Sequence, residues 1–230
     1  MKRNLLIISC VVLFALQGIA QKGTNVIGLK FGPNINWVNS ASDAAKNNRI
    51  GMGFSSGIVI DHYYSQHVAV SSGLNYSIMR LNYQFTDYRL LPNSLNEDKI
   101  PVNRKFKGSY IEVPLKIKAK MNILDSWNAF VEGGVGVGVN LITKGKDSYE
   151  YYGNPYSDEI YYDVSKDYRR LQFALNFGAG AEYEVNSKFS LFAQLTYHHT
   201  LSNMFSNWLY EETGSNIKTN FIGLEIGILH

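Results

Sequence analysis

The chain has 230 residues, 45% of them hydrophobic, with a formal charge of +3 and one cysteine, Cys10. Its mean hydropathy is slightly negative, which excludes a bundle of apolar spanning helices, and its weak charge gives no electrostatic footprint for nucleic acid. One cysteine excludes a disulfide framework.

The first element is a leader. Met1, Lys2 and Arg3 precede an apolar run from Leu5 to Leu16, then Gly18-Ile19-Ala20, the basic, apolar and small-residue parts of an export signal. Cleavage is expected after Ala20, giving a signal peptide over 1–20 and one domain over 21–230 with a formal charge of +1 once Lys2 and Arg3 are gone. Cys10 lies inside the apolar run rather than at its end, which argues against a lipoprotein box. The mature chain then has no thiol for a metal site or a nucleophile.

Period-two alternation predicts eight strands, at 25–38, 51–61, 67–83, 108–121, 127–142, 169–184, 189–201 and 217–229. In the first, Ile27, Leu29, Phe31 and Ile35 oppose Lys30, Gly32, Asn34 and Asn36. The fourth sets Ile111, Val113, Leu115, Ile117, Ala119 and Met121 against Glu112, Lys116, Lys118 and Lys120. The fifth places Glu132, Gly134, Gly136, Gly138 and Asn140 behind a valine-rich face, and the sixth sets Gln172, Asn176, Gly178, Gly180 and Glu182 behind Leu171, Phe173, Leu175 and Phe177. The eighth repeats the rule with Gly223, Glu225 and Gly227 against Ile222, Leu224, Ile226 and Ile228.

A lysine on the lipid side costs about 2–4 kcal/mol near the midplane, so the charged face must point inward. The inward glycines fit an eight-stranded barrel, whose interior is only wide enough for side chains to fill. A soluble sandwich would alternate too, with the opposite face inward. The leader, the lack of cysteines and the aromatic residues near strand ends favour the membrane barrel. Those residues are Trp37, Tyr63, Tyr64, Tyr83, Trp127, Tyr183, Phe189, Tyr197 and Trp208, and they suit interfacial girdles.

Connections 62–66, 122–126 and 185–188 are short, whereas 39–50, 84–107, 143–168 and 202–216 are long. Short turns face the periplasm in such barrels, so both termini are expected there. The fold class is all-β, an eight-stranded antiparallel up-and-down transmembrane β-barrel of OmpA/OmpX-like architecture. Pro114 lies within a strand that has no free edge, so it is expected to interrupt the ladder or mark a bulge. The chain ends Ile228-Leu229-His230, without the terminal aromatic residue common in these barrels.

The segment Tyr110-Ile111-Glu112-Val113-Pro114-Leu115-Lys116-Ile117-Lys118 resembles a strand of the PorT-like, or "porin family", outer-membrane barrels of Bacteroidetes. Gly28 to Asn34, Gly178 to Tyr183 and Thr200 to Met204 extend the resemblance over the mature chain. It implies a cell outer-membrane location and insertion by the barrel assembly machinery. A link to type IX secretion is known for PorT itself and is not transferred with the fold.

Three groups of residues are candidates for function. Lys30, Glu112, Lys116, Glu132, Glu182 and Glu225 are placed in the lumen; buried ions must pair, so a polar network that plugs the barrel is favoured over an ion path. His198, His199 and Ser202, with Glu211 and Glu212 nearby, invite comparison with barrel lipid A deacylases. However, His199 and Ser202 are three residues apart and fall on opposite faces, while His198 and Thr200 share a face but offer a weaker nucleophile.

The third group is in the long connections. Segment 143–168 carries six acids against three lysines, with Tyr151, Tyr152, Tyr156, Tyr161 and Tyr162, while 84–107 is net basic and holds Arg104 and Lys105. Opposite signs suggest loops packed over the barrel mouth, and the tyrosines with Arg104 and Lys105 are candidate contacts for an external partner. No metal or cofactor is expected.

The sequence therefore points to a non-enzymatic barrel that anchors surface loops and seals its lumen. A narrow channel or a secretion component is the alternative, and a lipid A-modifying enzyme the third. Expected partners are outer-membrane lipid, the assembly machinery during insertion, and envelope or secretion proteins.

Overall fold

The computed structural model describes residues 24–40, 45–90, 97–151, 154–206 and 216–230. The leader with its cleavage site, Tyr152, Trp208, Glu211 and Glu212 lie outside them. The described strands are β1 (Thr24–Ser40), β2 (Ala45–Arg49), β3 (Gly51–Tyr63), β4 (Val68–Leu90), β5 (Glu97–Leu124), β6 (Trp127–Tyr151), β7 (Asn154–Ser157), β8 (Tyr162–Asp163), β9 (Leu171–Glu184), β10 (Ser190–Thr200) and β11 (Ile217–Leu229). A 3-10 turn, Ser165–Asp167, follows β8.

Eight of these strands close a ring in the order β1, β3, β4, β5, β6, β9, β10, β11, with β11 pairing back to β1. Every pairing is antiparallel, so the chain is an up-and-down barrel with no free edge in the ring. Tight connections at 64–67, 125–126 and 185–189 lie at one end. The first and last described residues lie there too, since Thr24 is paired with Tyr63 and His230 exchanges two backbone bonds with Ile27.

At the other end the structure corrects the expected loops. Segment 84–107 is mostly strand, with Leu90 of β4 still paired to Glu97 of β5. Segment 143–168 is the continuation of β6, with β7 and β8 folded back on it, and β2 extends β3 by pairing with β4. β5 alone has 28 residues, against the ~10 that cross a bilayer. The barrel wall continues far beyond any membrane.

These strands differ from the expected loops because their pattern changes phase. In β4 the odd residues point inward throughout. Up to Ile78 the outward residues are largely apolar (Val68, Val70, Leu74, Tyr76) and the inward ones polar (Ser71, Asn75, Ser77). From Met79 the inward residues become Met79, Leu81, Tyr83 and Phe85, and the outward ones Arg80, Asn82 and Gln84. β5 inverts at the same height, from Leu115 and Val113 outward to Lys107 and Lys105 outward. In β6 a one-residue register shift lets Tyr110 pair with Asn140 and Ser109 with Ile142, so Leu141 is the bulged residue. Even residues face inward before it and odd residues after it.

Pro114 and Pro33, the prolines of the belted part of the wall, are accommodated without a shift of register. Pro114 stays opposite Gly136 of β6, but the β4–β5 ladder is interrupted there, between Ser72/Leu115 and Asn75/Glu112. Ser72 Oγ donates to the Pro114 carbonyl at 2.8 Å. The neighbouring Gly73 adopts φ +147°, a conformation that L side chains rarely take. Pro33 similarly interrupts the β1–β11 ladder between Phe31/Ile226 and Asn34/Gly223. A missing N–H removes one rung and leaves the face parity intact.

Below the inversion a belt of apolar side chains is exposed, including Leu29, Phe31, Leu115 (57%), Ile117 (65%), Val131, Leu195 and Leu224. Above it lies the principal apolar core, which includes Tyr83, Phe85, Val102, Phe106, Tyr168, Met204, Phe205 and Ile217. Trp127 and Tyr183 make a ring contact at 5.0 Å on the outer wall near the tight turns, and Trp37 and Tyr197 make one at 6.4 Å near the inversion. Tyr83 is not a girdle residue, being fully buried in the core. Tyr63 is also directed inward, with Lys120 Nζ over its ring at 5.3 Å.

Candidate functional site

The lumen of the belted section is filled in tiers. Nearest the tight turns, Lys118 Nζ of β5 donates to Asp61 of β3 at 2.8 Å and also to Glu182 of β9. Lys120 reaches the second Glu182 oxygen at 3.1 Å, and Lys118 lies 4.4 Å over the Phe130 ring. In the middle tier Lys30 donates to Glu225 at 2.9 Å, Gln194 donates to the same oxygen at 2.7 Å, and Lys116 pairs with Glu132.

The third tier is built on Glu112. Its Oε1 accepts from Asn176 Nδ2 at 3.0 Å, and its Oε2 lies 2.9 Å from His198 Nε2. The His198 ring stacks on Phe221 with centroids 4.5 Å apart. Alternation along β1, β5, β6, β9 and β11 delivers these groups to one interior, and inward glycines leave space for them. A Cβ on Gly136 would lie 2.6 Å from the Glu112 carboxyl, and one on Gly178 2.9 Å from Glu132.

Between the tiers and the apolar core is a cavity of about 40 Å³, lined by Lys30, Asn75, Glu112, Lys116 and His198 among others. That volume holds only a few water molecules. Asn75 Oδ1 and His198 Nδ1, which have no hydrogen-bond partner among the described residues, are its natural contacts for water.

The structure places Lys30, Glu112, Lys116, Glu132, Glu182 and Glu225 inside the ring with Lys118 and Lys120 from the same charged face of β5, and adds Asp61 and His198. Asp61 could have been found by extending the inward parity of Ser55, Gly57 and Val59 by one step. Histidine was weighed only as a catalytic group, yet His198 has its Nε2 on Glu112 and the Thr200 hydroxyl is bonded to Thr219. His199 faces the other way, with Nδ1 on Asn220 at 2.5 Å, and Ser202 Oγ accepts from the Phe173 N–H. The deacylase-like set is not brought together among the described residues.

Above the inversion a second ion cluster lies within the core. Arg104 grips Asp147 with two bonds, Nε–Oδ1 at 2.6 Å and Nη2–Oδ2 at 2.7 Å, and its Nη1 reaches Asp167 at 2.8 Å. Tyr162 donates to Asp147 at 2.6 Å, Tyr83 and Tyr168 share a hydroxyl bond, and the guanidinium lies 4.9 Å over the Phe85 ring. Burial lifts the Tyr83 and Tyr168 hydroxyls above the ordinary phenol range. It also raises the Asp167 carboxyl, against the pull of Arg104.

Arg104 is therefore corrected from an external contact to a buried link between the two segments of opposite charge. They meet as neighbouring strands of the wall rather than as loops folded over a mouth. Lys105, next along β5, is exposed. Tyr161 is exposed, Tyr156 is half-buried and stacked on Tyr149 at 5.3 Å, and Tyr162 packs against the core. Tyr151 pairs with Asn154 at the hairpin tip, its side chain lying outside the described residues.

A family model described as "Outer membrane protein beta-barrel domain" matches residues 19–206. Among solved structures, the chain is similar to Neisserial surface protein A at 11% identity and a TM-score of 0.46, covering 91% of this chain and 98% of that one. It is similar to Ail of Yersinia pestis at 16% identity and 0.38, covering 90% and 99%. A third is OprG of Pseudomonas aeruginosa at 9% and 0.41, covering 90% and 95%. No curated protein sequence matches the chain.

Proposed function

The chain belongs to the outer membrane protein beta-barrel domain family, and on that premise we propose that it is a non-enzymatic, closed barrel that carries a stiff external extension. In this reading the tight turns and both termini are periplasmic, the leader is cleaved after Ala20, and the inverted section stands outside the cell. The observation that carries it is the filling of the lumen: paired ions across the belted section, an aromatic core beyond it, and about 40 Å³ of cavity between them. A lumen filled in this way supports an anchor over a channel.

Sealing is tested by conductance and unfolding together. The wild-type barrel in a planar bilayer is expected to stay closed. Glu132→Gln leaves Lys116 without its anion, which is expected to cost about 3–5 kcal/mol of stability while the bilayer stays closed. A steady wild-type conductance, or a new one in the variant with unchanged unfolding, would overturn the sealed barrel in favour of a narrow channel.

The exposed Tyr161 and the hairpin of β6 and β7 suit contact with a protein of the envelope, because tyrosine gives area and a hydroxyl at low entropy cost. The resemblance of Tyr110 to Lys118 to PorT-like barrels makes a secretion complex the first candidate. Mass spectrometry of proteins retained on gentle extraction from the native membrane checks this: stoichiometric secretion proteins support it, and a barrel extracted alone leaves the anchor without such a partner.

A further inference from the structure

Just beyond the apolar belt, one side of the wall carries two rows of cations in register. Arg80 of β4 is directly opposite Lys107 of β5, which is opposite Lys144 of β6. In the next row outward, Arg49 of β2 is opposite Asn82, Asn82 opposite Lys105, and Lys105 opposite Lys146. Arg49, Arg80, Lys105, Lys107 and Lys144 are exposed, and among the described residues none of the five forms an ion pair. Asp163, set opposite Lys144, instead accepts from the Ser165 N–H at 2.8 Å, and Lys146 donates to the Glu159 carbonyl at 2.9 Å.

Like charges directly opposite one another destabilise a sheet, so these rows lower the stability of the wall unless an anion lies across them. Their height limits what that anion is. The row immediately below is Ile78, Ser109 and Ile142, the last of the belt, and one two-residue step is about 7 Å. An open groove of about 550 Å³ joins the two chemistries, lined by Arg49, Arg80, Lys105, Lys107 and Lys144 together with exposed Ile50 and Met52. Farther round the wall β1 and β11 set Trp37 opposite Asn220, so the facing rows of cations stand on β4, β5 and β6.

We propose that this face binds the phosphate groups of an outer-leaflet lipid, with the headgroup across Arg80, Lys107 and Lys144 and the acyl chains along Ile78, Ile142 and Met52. This rests on the membrane reading above. A soluble polyanion would have no use for the apolar floor, and a neutral lipid none for the cations. The site would hold the barrel at a fixed depth and attach lipid preferentially to one side of it.

The test uses the full-length folded protein in phosphatidylcholine vesicles doped with a diphosphorylated glycolipid (lipid A) or with the same lipid after phosphate removal. Lipid retained on mild detergent extraction is counted by mass spectrometry of the intact complex. Preferential retention of the phosphorylated form is expected, falling by about two orders of magnitude in R80Q/K107Q/K144Q, with K188Q at the tight-turn end unchanged. The three side chains are exposed, so unchanged heat-dependent gel mobility of the variant will show that it is still a barrel.

Equal retention of the two lipids, or no loss in the triple variant, overturns the lipid site. Displacement of the lipid by inorganic phosphate or a sulfated polysaccharide at comparable concentration overturns it in favour of a soluble anion. Failure of the wild type to insert into any vesicle overturns the membrane reading, and this proposal with it.

Discussion

The belted section and the section beyond it are built by the same strands with opposite chemistry. In β4 the inward residues are Ser71, Asn75 and Ser77 in the first and Leu81, Tyr83 and Phe85 in the second. In β4 the backbone does not register the change, and pairing with β5 runs through it from Asn75 to Leu90; β6 marks it with the bulge at Leu141. What changes is the surroundings of the outer face. Against lipid, that face is apolar and the interior takes the ions; against water, it is Arg80, Lys105 and Lys107 and the interior takes the aromatic rings. In the membrane reading proposed above, the inversion between Ile78 and Arg80, at Ser109 and at Leu141 is the height at which solvent replaces hydrocarbon.

The largest effect is expected from truncation inside the water-facing section. Phe205 is fully buried and makes ring contacts with Tyr83, Phe85 and Tyr168 at 5.7–6.1 Å. Phe205→Ala leaves a cavity in a packed core and is expected to cost about 3–5 kcal/mol. Phe31→Ala, on the belt at 50% exposure, leaves a space that lipid can fill, so its loss is expected to be smaller. Denaturant unfolding of the two variants in the same lipid compares them, and an equal or reversed order would mean that the outer section is not a close-packed core.

A charge tests the other face. Ile117→Lys puts an ammonium on the lipid side of β5 and is expected to cost about 2–4 kcal/mol. Gln84→Lys, on the outward face of β4 beyond the inversion, is expected to change stability by less than about 0.5 kcal/mol. Folding yield and unfolding free energy in vesicles separate them. A costly Gln84→Lys would move the membrane boundary outward and join the two sections into one.

The ring was legible in the sequence because its evidence is redundant: one alternation rule recurs in five strands, and Lys30, Lys116 or Glu182 on the wrong face would be costly each time. The outer strands obey the same parity, but the rule used to find them was apolar-out, which they violate. Leu81, Tyr83 and Phe85 therefore read as a fading strand, and Val102 and Phe106 as part of a loop. The in-register rows of Arg80, Lys107 and Lys144 could not be read at all, since they lie on three strands whose pairing depends on a bulge at Leu141. Arg104 read as a surface cation because sequence gives charge and not direction; its even position in β5, shared with Lys116 and Lys118, was the available clue.

The smallest effect separates the sections by pH. Asp167 faces Arg104, with Asp147 and Asp87 adding negative charge nearby, and burial holds its carboxyl above the ordinary carboxylate value of 3.8. The native state then binds this proton more tightly than the unfolded chain does. Asp167 contributes most to stability below the unfolded value, and that contribution is lost as pH rises through the raised native value. Asp167→Asn keeps a neutral group there, so wild type is expected to lose stability relative to the variant across that interval. Urea unfolding from pH 3 to pH 7, followed by near-ultraviolet dichroism of the tyrosines around Arg104, measures the difference. A slope of the opposite sign would mean that Arg104 outweighs burial and that Asp167 is stabilised as an ion, which would make this corner of the outer core resemble the ion-filled lumen below it.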